Sequence, residues 1–344
     1  MSKTDLKKHF LKFHQSLPKS LQKYPLYFGV SAGLDSSVLA TVAWELRERL
    51  PPIHWVHVNY GLRIPDCDED EAFLRRWAEE LRVPFHARRF RPDTKPANLQ
   101  NWAREERFKF FSEVIAKSAK GQGLLCLAHH QQDQAETVLL RLTRGASLQG
   151  LAGMSAFEEI SSLSRKKLPS SLLILRPFLD VSHEAIEQYA CSHSVSYRED
   201  VSNQSDLYQR NRMRHHVIPL LLQENPRAIE ALCEFSQKAS RAADALNNLA
   251  QTWLKKNLKK KGKLAWLSMR SLKKLPEGLA EEVLVSFVAT MEVQPQALSK
   301  ILPQILQYLA KPGPERVLVL KHCELLLKGE GIGLKMRDKR VSFH

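Results

Sequence analysis

The chain is 344 residues long, 43% apolar and 26% charged, an ordinary globular composition with length for one large domain and a smaller one. No run approaches the roughly 18 to 20 consecutive apolar residues that cross a bilayer, and the five cysteines form no CxxC pair, which points to a reducing compartment, the cytoplasm, and to neither a zinc nor an iron–sulfur site. Lys and Arg number 52 against 37 Asp and Glu, a formal charge of +15, and such an excess favours a polyanionic partner such as nucleic acid over a merely solvated basic surface only if motifs agree.

In chain order, Met1–Pro18 mixes Lys7, Lys8 and Lys12 with Leu6, Phe10, Leu11 and Phe13. It has no continuous apolar segment and no small-residue cleavage site, so it reads as an amphipathic first helix. From Tyr24 to about Ser182, apolar strand-like runs at Leu26–Val30, Ile53–Asn59, Phe85–Phe90, Leu124–Ala128 and Leu172–Leu175 alternate with helical patterns. The helices are expected at Ser36–Leu50, Asp66–Leu81, Asn98–Lys120 and Asp133–Arg144, with Asp66 as an N-cap and Glu69 three residues on. This alternation predicts an α/β fold, a parallel sheet with helices on both faces. Its ligand site would lie beyond the carboxyl ends of the strands.

After Asn203 the pattern becomes helical over Tyr208–Leu222, Arg227–Leu254, Gly278–Met291 and Pro295–Leu309, which predicts an all-helical second domain. Val317–Leu320 and Leu325–Lys328, with glycines at 329, 331 and 333, read as a short C-terminal β segment too small to fold alone. The expected division is therefore 1–222, 223–311 and 312–344. Lys255, Lys256, Lys259, Lys260, Lys261 and Lys263 form a dense basic run, either a solvated helix end or a contact for a polyanion.

Four places carry chemistry. The first strand runs into Ser31-Ala32-Gly33-Leu34-Asp35-Ser36 and then a helix, a turn whose unsatisfied N–H groups and helix dipole suit phosphate. Asp35 can hold a magnesium ion there, and the missing lysine of a GxxxxGK[ST] loop excludes that NTPase class. A Ser-Gly turn capping a buried helix is the plain alternative. The second strand ends in His57-Val58-Asn59-Tyr60-Gly61-Leu62-Arg63, which puts His57, Asn59 and Arg63 at the same sheet edge. Asn101, Arg104 and Arg107 recur every three residues on one helix face, where arginines can grip phosphate or pair with Glu105 and Glu106. Finally, Ala128-His129-His130-Gln131-Gln132-Asp133-Gln134-Ala135-Glu136-Thr137 brings Asp133 and Glu136 together on an opening helical turn. There they complement the helix dipole or receive an ammonium group or magnesium; the adjacent His-His pair lacks zinc-ligand spacing.

In this order, SAGLDS, HVNYGLR, NWAREER and AHHQQDQAET resemble the N-type ATP pyrophosphatase (PP-loop) superfamily and, within it, the tRNA(Ile)-lysidine synthase family. Arg144-Gly145, Gly150–Met154, Arg176–Leu179, Glu199–Asn203 and Arg210–Arg214 are similar to the narrower pattern. The likeness covers about residues 24 to 222. It implies an adenine nucleotide alpha hydrolase-like fold, with ATP on Ser31, Ala32, Gly33, Leu34, Asp35, Ser36, His57 and Asn59 and magnesium on Asp35. It also implies that the wobble cytidine of an isoleucine tRNA with a CAU anticodon attacks the α-phosphate, and that free L-lysine then attacks carbon 2 of the adenylated base. By the same resemblance Asp35, Arg104, Asp133 and Glu136 are catalytic, Asp133 and Glu136 receive lysine, and Arg107, Arg210, Arg212 and Arg214 contact tRNA. The oligomeric state, a homodimer included, stays open.

Two positions depart from the family pattern: Ala32 stands for a second glycine and Tyr60 for a histidine. If position 32 needs positive φ, alanine costs on the order of 1 kcal/mol and its methyl crowds the phosphates. Two competitors remain at this level. Thiolation of tRNA by the same superfamily usually uses paired cysteines, which this chain lacks, and a non-catalytic RNA-binding relative would carry a degenerate loop.

Overall fold

The computed structural model describes residues 5–62, 65–90, 98–118, 122–160, 172–198, 206, 208–261, 264–289, 302–311, 313–319, 323–329 and 331–336. Arg63 and the Glu199–Asn203 segment lie outside the described residues. The chain forms two compact units, Met1–Gln237 and Lys238–His344. The boundary falls inside a long helix, α10 (Ala228–Asn257), and not at residue 222 or 311.

The first unit runs α1 (Leu6–Ser16), β1 (Leu26–Gly29), α2 (Leu34–Glu45), β2 (Ile53–Asn59), α3 (Asp66–Glu80), β3 (Phe85–Arg89), α4 (Leu99–Ser118) and β4 (Leu124–Cys126). It continues with α5 (Gln131–Leu142), α6 (Leu148–Leu151), β5 (Phe157–Ile160), β6 (Leu172–Leu175), α7 (His183–Ser192), α8 (Gln209–Arg212), a π-helical turn Met213–Val217 and α9 (Ile218–Glu224). The strands line up as β3-β2-β1-β4-β6-β5. All neighbours are parallel except β5, which pairs antiparallel with β6, so the expected parallel sheet carries one antiparallel edge strand.

Period-two alternation sorts the strands onto two cores. Leu26, Phe28, Ile53, Trp55, Leu124 and Cys126 face one cluster with α1, α2, α3 and α7 through Leu6, Phe10, Leu39, Leu74 and Ile186. Tyr27, Val56, Val58, Leu125 and Ile174 face the other, with Phe108, Phe111 and Ile115 of α4. Buried on both faces, β1, β4 and β6 read as continuous apolar runs. From β1 the order proceeds outward through β2 to β3, and the chain then returns to β4 on the other side of β1. The strand order reverses between β1 and β4, and the crevice above that point is where such sheets bind ligands.

One helix start differs from the sequence reading. Pro65, not Asp66, occupies the α3 N-cap and supplies no side-chain bond. Asp66, Asp68 and Glu69 instead sit in the first turn, where carboxylates complement the helix dipole.

The second unit is not all-helical. After α10 come β7 (Lys259–Lys261), β8 (Leu264–Ser268), α11 (Met269–Leu272), α12 (Glu277–Ala289), α13 (Leu302–Ala310), β9 (Arg316–Val319), β10 (Cys323–Lys328) and β11 (Gly331–Met336). They build an antiparallel sheet in the order β7-β8-β11-β10-β9. The C-terminal strands thus complete a sheet begun about 60 residues earlier, because Ala265 and Leu267 need the same apolar layer as Leu325, Leu327, Ile332 and Leu334. Part of the lysine run is a strand and not a helix end. No helix among the described residues is long and apolar enough to cross a membrane.

Candidate active site

A cleft of about 770 Å3 opens at the reversal of strand order, lined by Ser31, Gly33, Asp35 and Ser36 after β1 and by His129 and Asp133 after β4. The loop between β1 and α2 is pinned from within. Ser36 Oγ accepts from the Ser31 N–H (3.0 Å) and donates to the Gly33 carbonyl (3.1 Å), and the two serine hydroxyls lie 3.2 Å apart. Gly33 caps α2 with extended backbone and no side-chain bond, so the first N–H groups of the helix have no partner from a capping side chain. Ala32 has φ +65°, which confirms the need for the left-handed region at this position. Its methyl is buried in the core at 1% exposure and does not line the cleft, so it strains the loop without crowding it.

The end of β2 divides into one cleft residue and one anchor. His57 is buried, and its Nδ1 donates to the Val30 carbonyl at 2.8 Å, tying β2 to β1. Burial holds its pKa below the ordinary value, leaving Nε2, which has no partner among the described residues, as an acceptor beside the cleft. Asn59 has no such freedom and does not line the cleft. Its amide donates to the Cys67 carbonyl (3.0 Å), Asp68 (2.7 Å) and Glu71 (3.2 Å) and its oxygen accepts from Gly61 N–H, so it fixes the turn into α3. Tyr60 lines the cleft with its hydroxyl committed to the Ala103 carbonyl at 3.0 Å.

Asp133 and Glu136 do converge, and they already have cations. Arg210 Nε donates to Glu136 Oε2 and Arg214 Nε to Glu136 Oε1, both at 2.6 Å. Both arginines also reach Asp133 Oδ1, at 2.7 and 3.3 Å. The turn Met213–Val217 is π-helical at this point. Glu136 is fully buried, which without these guanidiniums would be prohibitive. Burial pushes the Asp133 carboxyl up, but His130 and Arg210 outweigh it and hold it below the usual range. Arg210 and Arg214, which the resemblance assigned to tRNA, are thus paired with these carboxylates, whereas exposed Arg212 donates to the Asp206 carbonyl at 2.9 Å.

With this loop, cleft and carboxylate pair in place, comparison with known proteins decides the family. Residues 3–221 match the model of the PP-loop domain family. The chain belongs to that family. It is 34% identical over 280 residues, 80% of its length, to a tRNA(Ile)-lysidine synthase of Geobacillus kaustophilus, and 33% identical over 227 residues to one of Streptococcus mutans. A bifunctional TilS/HprT protein of Listeria innocua is 32% identical over 276 residues. The chain spans 57%, 48% and 40% of these relatives, about half their length. Among solved structures, the U34-tRNA thiolase NcsA of Methanococcus maripaludis shares the fold, with a TM-score of 0.53 and 17% identity over 69% of this chain and 78% of that one.

Within this PP-loop domain the two arginines of α4 divide unexpectedly. Arg107, read as a tRNA contact, lines the cleft with a buried Nε that has no hydrogen-bond partner among the described residues. Arg104, read as catalytic, is exposed, stacks over Phe108 at 5.1 Å and is not among the lining residues. Asn101, on the same face, is spent on Glu105 at 2.9 Å. His129 is held by Arg176, whose Nε donates to its Nδ1 at 3.1 Å while Nη1 and Nη2 bind the Ser155 carbonyl and Glu158 at 2.6 Å. Burial, aided by nearby arginines, pushes the His129 pKa down to about 3, so the ring is neutral and carries its proton on Nε2.

Sequence reasoning missed His183, Glu187 and Arg198, which also line the cleft. His183 opens α7 behind the Ser182 cap, with no local pattern to mark it. Arg198 straps α3 through Asp70 and Glu69 (both 2.7 Å), while its N–H donates to the Ala32 carbonyl. The Gly150–Met154 motif has a structural cause: Gly153 has φ +69°, and a Cβ there would stand 2.7 Å from Gln134, whose amide brackets Met154.

Proposed function

We propose that the chain forms lysidine in the cytoplasm, ligating free L-lysine to carbon 2 of the wobble cytidine of isoleucine tRNA with a CAU anticodon at the expense of ATP. ATP lies with its phosphates on Ser31–Ser36, whose N–H groups and helix dipole neutralise the α-phosphate region. The cytidine O2 attacks that phosphorus and pyrophosphate leaves. The ε-amine of lysine, neutral when it reacts, then attacks carbon 2, the carbon 2–oxygen bond breaks, and AMP leaves carrying the former O2 of the base. Magnesium bound with ATP would supply charge neutralisation at the leaving phosphates, and Asp35 would hold it. Asp35 suits that role, since its Oδ1 is buried without a partner among the described residues, and burial raises its pKa, a state that a bound cation relieves.

The observation that carries this reading is the meeting of the phosphate loop with Asp133 in one cleft, where Arg210 and Arg214 link Asp133 to the buried Glu136 behind it, in a chain similar to lysidine synthases over 80% of its length. The carboxylates have a further consequence. Two guanidiniums neutralise two carboxylates, so an incoming lysine ammonium gains little until one arginine withdraws. A tRNA phosphate that draws Arg210 or Arg214 away would create the lysine site, which orders tRNA before lysine. Arg107 takes the catalytic role first assigned to Arg104, gripping phosphate or the adenylated base, and Arg212 keeps its contact with tRNA. Thiolation is disfavoured because no cysteine among the described residues lines the cleft, and Cys126 is sealed in the core.

The test is pyrophosphate release from ATP with lysine omitted. The proposal expects release that requires the CAU-anticodon tRNA and stops near one equivalent. Release that ignores tRNA, or that requires a sulfur donor, contradicts it.

A further inference from the structure

We propose that Asp35, His130 and His183 form a binding site for a divalent first-row transition metal ion. The three come from separate elements: Asp35 from the first turn of α2, His130 from the N-cap of α5 and His183 from the first position of α7. One donor atom from each lies within 4.8 Å of the others. His183 Nε2 is 3.6 Å from Asp35 Oδ1, and His130 Nε2 is 3.7 Å from Asp35 Oδ2. These gaps are too long for hydrogen bonds and fall within the roughly 3 to 4 Å between donors sharing an ion at bonds of about 2.1 Å, while the widest donor separation, up to 4.8 Å, is somewhat larger. A small side-chain closure would bring all three onto one ion.

Two further observations point to a ligand. Asp35 Oδ1 is buried without a hydrogen-bond partner among the described residues, a costly arrangement for a carboxylate oxygen, and His130, 2% exposed, aims its Nε2 at the same carboxylate. His183 turns its other nitrogen, Nδ1, toward Glu187 Oε1 at 3.3 Å, the carboxylate–histidine arrangement that orients imidazole ligands on metals. Asp133 Oδ2, 3.5 Å from His130 Nε2, adds negative charge from the other side.

The donor set decides the class of ion. Two imidazoles and one carboxylate suit zinc, cobalt, iron or manganese, whereas magnesium takes oxygen ligands and keeps its waters. Asp35 and His183 both line the cleft, so the open positions face water or the phosphate oxygens of a nucleotide. The inference rests on the proposed function only in sharing Asp35 with the magnesium that ATP brings, and binding measured without tRNA, lysine or ATP stands or falls separately from lysine ligation.

The full chain, freed of metal and nucleotide, is titrated with Zn2+, Co2+ and Mg2+ by calorimetry, and the Mn2+ complex is probed for 14N coupling by electron paramagnetic resonance. We expect one Zn2+ or Co2+ per chain, Mg2+ at least 100-fold weaker, imidazole nitrogen coupling to Mn2+, and at least 10-fold weaker Zn2+ binding by His183→Ala of unchanged thermal stability. Should His183→Ala fold poorly, the wild-type 14N signal decides alone. Absence of stoichiometric Zn2+ or Co2+ binding, or Mn2+ bound without nitrogen coupling, overturns the proposal.

Discussion

Ala32→Gly should cost almost nothing, although Ala32 is among the most buried alanines of the core. The side chain is 1% exposed, so losing its methyl removes about 0.8 kcal/mol of burial, and glycine loosens the unfolded chain by a further ~0.7 kcal/mol. Against this, alanine at φ +65° carries strain of about 1.5 kcal/mol that glycine does not. The terms cancel to within about 0.5 kcal/mol. Ala43, fully buried inside α2 with ordinary helical backbone, has no strain to release; Ala43→Gly loses the same methyl and about 1 kcal/mol of helix propensity, near 1.8 kcal/mol in all. Urea denaturation of both variants beside the parent chain measures the difference, and thermal melts should separate them by several degrees. If Ala32→Gly loses as much as Ala43→Gly, the loop is not strained and the reasoning fails.

Three more outcomes follow from the site. Arg214→Met leaves one oxygen of the fully buried Glu136 without its donor. It should destabilise the first unit by about 3 kcal/mol in urea, with Glu136→Gln in the same chain recovering most of it; a loss under about 1 kcal/mol would mean the pair is not desolvated. His129 binds no proton in the folded chain until pH nears 3, whereas the unfolded ring does so below its ordinary 6.5. Its contribution to stability is therefore full above pH 6.5 and is lost as pH falls toward 3, so His129→Gln should flatten the pH slope in that window, and an imidazole that titrates near pH 6 by NMR refutes the assignment. Binding of tRNA should weaken steeply with salt, and Arg212→Ala should lower the logarithmic slope by about 1 while weakening all sequences alike; a slope of zero excludes phosphate contacts.

Much of the first unit was legible because its inner strands are buried on both faces and helices such as α1, α3 and α5 are amphipathic. Ile53–Asn59 and Leu172–Leu175 begin and end as their apolar runs do. Phe157–Ile160 was not, since four residues with two glutamates take strand form only through pairing with β6. The same holds for β8, whose partner β11 lies far downstream. At the site, residue types were readable but partners were not. Arg210 and Glu136 are 74 positions apart, so nothing local says that the arginines neutralise the carboxylates and do not meet solvent. Arg104 and Arg107 share a helical face by spacing, and only the docking of α4 on the sheet through Phe108 and Phe111, with Tyr60 bonded to Ala103, settles which one lines the cleft. Asn59 carried a polar side chain at the right sheet edge, yet the start of α3 claims its amide N–H groups and Gly61 its oxygen.

The most direct measurement of the central claim is incorporation of radiolabelled lysine into tRNA bearing a CAU anticodon, with ATP and magnesium, omitting each component in turn. Lysidine synthesis predicts incorporation that vanishes with any omission and that Asp133→Asn abolishes. Pyrophosphate release without lysine in the tRNA, or full lysine-dependent turnover by Asp133→Asn, would contradict it.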